Sequence, residues 1–147
     1  MRLANTSLQA LGGLLLCGIL LAGCQGLREQ ENLYTALGGE EGIRVITENF
    51  IRQIANDERV IDHFEYSNVQ RFREKMHEHL CLVAEGPCAY SGDSMIDTHT
   101  GMGITEGDFN AIVEDMMAAL DEAGIPISTQ NRLLARLAEF RGEILYR

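Results

Sequence analysis

Apolar residues recur along this chain at intervals of three and four, and no run alternates at period two. That spacing lines one face of a helix and leaves no half-buried strand to build a sheet from. Between Glu40 and Ala55 the stripe is Ile43, Ile46, Phe50 and Ile54. Gly39 and the acidic pair Glu40 and Glu41 open it, and acids favour the first turn of a helix. A second stripe, Val69, Phe72, Met76, Leu80 and Val83, runs from about 68 to 84 and stops at Gly86-Pro87. The third begins at Thr105, with Asp108 at the capping-box position, carries Phe109, Ile112, Val113, Met116 and Leu120 on its buried side, and ends at Gly124. Ser128 or Thr129 caps the last, with Leu133, Leu134, Leu137, Phe140 and Ile144. Between these, residues 57–64 form a short helical turn, and 89–103 are mostly loop with a short helix around Met95 to Thr98. The expected class is all-α.

Residues 1–23 stand outside this fold. One positive charge, Arg2, precedes an apolar run from Leu8 to Leu21, the pattern of an export signal. The run is short and glycine-interrupted for a membrane span, which needs about 20 apolar residues. It ends in Leu21-Ala22-Gly23-Cys24, which resembles a bacterial lipobox. That resemblance implies cleavage before Cys24, lipidation of its thiol and anchoring outside the cytoplasm. Gln25 in place of Asp favours the outer membrane. Residues 24–32 read as a tether, and 33–147 as one domain. After removal of the leader, 11 basic residues face all 22 acidic ones. Nucleic acid is therefore not an expected partner, and the charge reads as solubility. Cys81 and Cys88 flank Gly86-Pro87 and suit a disulfide in an exported protein. Two reduced, buried thiols are the alternative.

The ionisable residues form no familiar catalytic order. Gly101, Gly103 and Gly107 have the wrong spacing for a phosphate loop, and Asp97, His99 and Gly101 do not supply the oxygens of a calcium loop. On the second long helix His77 and Cys81 share a face while His79 points elsewhere, so a metal pair there is a weak signal beside exposed histidines on an acidic helix. His99 is placed by no helical stripe. It sits in a polar segment ahead of two glycines.

Taken in order, LYTALGGEEGIRVITENF, the Asp62-His63-Phe64 turn, GPCAYSGDSM, HTGMGIT and DFNAIVEDM resemble the group 1 truncated haemoglobins from Leu33 to about Leu145. The resemblance implies a truncated globin, a two-on-two helical sandwich around haem b, with His99 as the iron's proximal ligand. It further implies haem contacts from Phe64, Phe72, Met76, Tyr90, Met95, Met102 and Phe109, and from Arg73 to a haem propionate. The glycines after His99 would let the backbone pass close to a flat macrocycle. The expected partners are a diatomic gas (oxygen, NO or CO), the membrane through the lipid anchor, and a reductase that the sequence does not identify.

Two departures bear on ligand choice. A tyrosine common in the family would fall at Ile51, and a glutamine at Met76, so an apolar pocket that releases oxygen quickly is expected. Internal ligation by Met76, His77 or His79 is open, with Met76 in the best phase. It would suit an extracytoplasmic redox protein, for electron transfer or peroxidase-like chemistry. A haem-free helical interaction lipoprotein is the third reading.

Overall fold

A computed structural model describes residues 31–147; the leader, Cys24 and most of the tether lie outside the described residues. Among the described residues all regular structure is helical: α1 (Leu33–Ala36), α2 (Gly39–Asn56), a 3-10 turn (Ile61–Phe64), α3 (Val69–Val83), α4 (Met95–His99), α5 (Glu106–Glu122), α6 (Ile127–Ala138) and α7 (Arg141–Ile144). No described helix is long and apolar enough to cross a membrane.

The helices assemble as two pairs. α2 packs on α3 and α5 on α6, and the pairs meet where α2 lies on α5 and α3 on α6. Ile43, Ile46, Phe50 and Ile54 of α2 are all buried, opposite Ala111, Met116, Ala119 and Leu120 of α5. Each large apolar side chain buried in this way stabilises the fold by about 1.5–3 kcal/mol. The small Ala119 lets the backbones approach, and Asn49 Nδ2 donates to the Ala119 carbonyl at 3.2 Å.

Local signals set the ends. Gly38 caps α2 at φ +94°, and a Cβ there would stand 3.1 Å from Gly42 Cα. Asn68 caps α3 through Arg71 N, and Ser94 caps α4 through Asp97 N. Thr105 and Asp108 form a reciprocal capping box on α5. The last helix departs from its expected start. Pro126 holds its N-cap position without a side-chain bond, while Thr129 is buried, so neither Ser128 nor Thr129 caps it. It also breaks after Ala138 into α6 and α7.

α7 returns to α4. Tyr146 N donates to the Ile104 carbonyl at 2.9 Å and Gly103 N to the Arg147 carbonyl at 3.0 Å, fastening the chain end beside His99. A disulfide joins Cys81, in α3, to Cys88, with Cα atoms 5.9 Å apart. It fixes the loop that leads from α3 to α4.

Two outcomes follow. Replacing both Cys81 and Cys88 with serine should lower stability by about 2 kcal/mol, read as a melting midpoint lower by about 8 °C; a midpoint unchanged by the substitution or by reductant would contradict it. The Thr105 amide and hydroxyl hold the Asp108 carboxyl below the ordinary aspartate range. The depressed group stabilises the fold fully above the ordinary range and loses that contribution as pH falls through its lowered value. Asp108→Asn should therefore flatten the acid limb of the melting profile, measured by circular dichroism between pH 6 and 2.

Candidate functional site

The cavity between the helix pairs has a volume of about 470 Å³, within the range of small-molecule and cofactor sites. Phe50, Phe72, Met76, Phe109, Ile112, Met116, Leu134, Leu137 and Phe140 make its walls overwhelmingly apolar. These side chains come from α2, α3, α5 and α6 and from the segment joining α6 to α7, so the site exists only in the folded chain.

His99, the last residue of α4, faces this cavity. Its Nδ1 lies 2.7 Å from the Met95 carbonyl, one helical turn back. A carbonyl only accepts, so this bond puts the ring proton on Nδ1 and leaves Nε2 with a free lone pair. Such a bond also fixes ring orientation and raises ligand basicity. Gly101 and Gly103 follow at φ +85° and +62°, and protein atoms leave open space beside both. Their backbone conformation, rather than crowding within the protein, is what requires glycine.

One wall is lashed to α3 by polar bonds. Ser91 N donates to Glu78 Oε2 at 2.8 Å, Lys75 Nζ to Glu78 Oε1 at 2.8 Å and to Ser91 Oγ at 2.6 Å, and Arg71 pairs with Asp93 at 2.9 Å. The Lys75 ammonium, then the Ser91 amide, pull the Glu78 carboxyl down to about 2. Tyr90, whose hydroxyl donates to the Asp93 carbonyl at 2.9 Å, is thereby set against the cavity.

Of the nine residues singled out from the sequence, Phe72, Met76, Tyr90, Met95, His99 and Phe109 line the cavity together. Phe64, Arg73 and Met102 do not. Phe64 packs edge-on against Phe72 at 5.2 Å and lines a second, smaller cavity of about 100 Å³ with Ile51. Arg73 follows Phe72 by about 100° of helix rotation, which turns it to α2, where it bonds Glu48 at 2.6 Å and Gln70 at 2.9 Å. The cation at the cavity is Lys75. His77 also leaves the site, with Nε2 2.9 Å from Glu40.

The sequence offers His79 only as one of three alternatives for internal ligation, not among the expected haem contacts. The residue is buried, 8 % exposed, and lines the cavity with His99. The signal was available: Phe72, Met76 and His79 are spaced four and three and share one helical face. Ile112, Met116, Leu137 and Phe140, which continue the apolar stripes of α5 and the last helix, line the cavity as well.

Residues 32–146 match the family described as bacterial-like globin. The chain belongs to that family. The group 1 truncated hemoglobin of Mycolicibacterium paratuberculosis is 32 % identical over 116 residues, covering 79 % of this chain and 85 % of that protein. A group 1 truncated hemoglobin of Synechocystis is 28 % identical, covering 75 % and 89 %. The crystal structure of Tetrahymena pyriformis truncated hemoglobin in its Fe(III) form has a TM-score of 0.76 at 27 % identity, covering 78 % of this chain and 98 % of that one. The fold is the two-on-two globin fold. The family's cofactor is haem with its iron, usually haem b. The residues of this globin fit it: an apolar cavity of cofactor size, and one imidazole whose Nε2 is free to bind iron while its Nδ1 is tied back.

Glu78→Gln should loosen the Tyr90 wall of this globin. The expected result is amide exchange at Ser91 faster by about tenfold, the loss of a hydrogen bond to a charged group, with exchange at Leu120 unchanged. Equal exchange at Ser91 in both proteins would contradict the clamp.

Proposed function

We propose that this globin carries one haem b on His99 Nε2 and takes up a diatomic gas, oxygen, NO or CO, outside the cytoplasm. The observation that carries the reading is the His99 ring held by the Met95 carbonyl at the edge of an apolar cavity. When bound, haem would supply an iron able to bind a diatomic gas. The chain does the rest. The Met95 carbonyl selects the ligating tautomer, the apolar walls exclude water, and Lys75 is the cation placed to meet a haem carboxylate in the part first assigned to Arg73.

The leader's sequence supports export, cleavage before Cys24 and lipid anchoring there, with the outer membrane as destination. The Cys81–Cys88 disulfide accords with an oxidising compartment. A reductant from a partner reductase would keep the iron ferrous.

The test is haem titration of the full chain, purified in detergent, beside His99→Ala. A stoichiometric Soret band in the wild type, weakened at least about tenfold in affinity in the variant, is expected. Equal binding by both proteins, or none by the wild type, would overturn the assignment. For the anchor, the mass of protein extracted from membranes should show loss of residues 1–23 and a lipid adduct on Cys24. An intact leader on soluble protein would contradict it.

A further inference from the structure

The cavity holds a second imidazole that the gas-binding reading does not use. His79 is 8 % exposed, faces the cavity, and makes no hydrogen bond among the described residues. Its ring is gripped edge-on by Tyr90 at 5.5 Å and Phe140 at 5.0 Å, so its place is set by packing. Its nitrogens are therefore not tied to another protein group among the described residues and look onto the cavity. Its neighbours on the same face are otherwise accounted for. Phe72 and Met76 are apolar, and the Lys75 ammonium is engaged by Glu78 and Ser91.

We propose that His79 is a second axial ligand of the haem iron, competing with the gas for the sixth position. The inference rests on the haem reading above.

The competition among the cavity's Lewis bases favours this residue. Met76 offers a thioether, a softer donor than imidazole. Lys75 is a charged ammonium in an ion pair with Glu78 and has no lone pair to give. Burial against the apolar wall disfavours a charged His79 ring. A neutral imidazole is the ligating form. His77, the other histidine of α3, is turned away to Glu40.

The functional consequence is a gated site. A gas binds only while His79 is off the iron, so apparent affinity and rate fall by the fraction of time the position is open.

The experiment is the absorption spectrum of the full chain, haem-loaded in detergent and reduced with dithionite, beside His79→Phe and Met76→Leu. The expected wild-type spectrum is low-spin and six-coordinate. It should become high-spin and five-coordinate in His79→Phe and stay low-spin in Met76→Leu. Carbon monoxide association should quicken by about tenfold in His79→Phe if the position is open about a tenth of the time. A high-spin wild type with a normal Soret band overturns the His79 assignment and leaves the haem reading standing. A low-spin spectrum that survives in His79→Phe overturns it in favour of another ligand. Absence of any Soret band in the wild type removes the haem reading and this one with it. His79→Gln, which keeps a polar side chain of similar size, serves if the phenylalanine variant does not fold.

Discussion

The close packing of α2 against α5 is the constraint on which the rest of the molecule depends. Ile43, Ile46, Phe50 and Ile54 on one side, and Ala111, Met116, Ala119 and Leu120 on the other, form the part of the core that joins the two helix pairs. Phe50 and Met116 belong both to that core and to the cavity wall. The cavity is therefore a continuation of the core, left where large side chains of α3 and α6 stand back from one another. Its shape is fixed by the same burial that holds the fold together.

His99 is made useful by a local device of its own. α4 is only one turn long, capped by Ser94, and that turn brings the Met95 carbonyl under the His99 ring. The two glycines after it turn the chain through left-handed conformations so that α5 can start at its own capping box. α7 packs on α4, and the paired chain end fastens this segment. Orientation of a single imidazole thus draws on elements separated by about forty residues of sequence.

The helices were legible because their signals are local. Stripes at three and four, the Thr105 and Asp108 box and the Gly86-Pro87 stop placed α2, α3 and α5 to within a residue or two of their observed ends. The start of the last helix was not, since Thr129 is spent in the core rather than at a cap. The site was legible where the resemblance spoke of backbone landmarks, as at His99 and Tyr90. It failed where rotation about a helix decides which side chain looks inward. Arg73 is one residue past the cavity-facing position, and His79 is one turn beyond Met76 on the correct face. The pocket is apolar as expected, with one buried imidazole inside it. In the folded chain His77 meets Glu40, and Cys81 is spent in the disulfide.

The account turns on His99 being the residue that makes this cavity a haem site. A crystal structure of the haem-loaded protein tests it most directly. The account predicts one haem between the helix pairs, with His99 Nε2 bound to the iron and Nδ1 still bonded to the Met95 carbonyl. Haem held elsewhere, or in the cavity with His99 turned away from the iron, would contradict it.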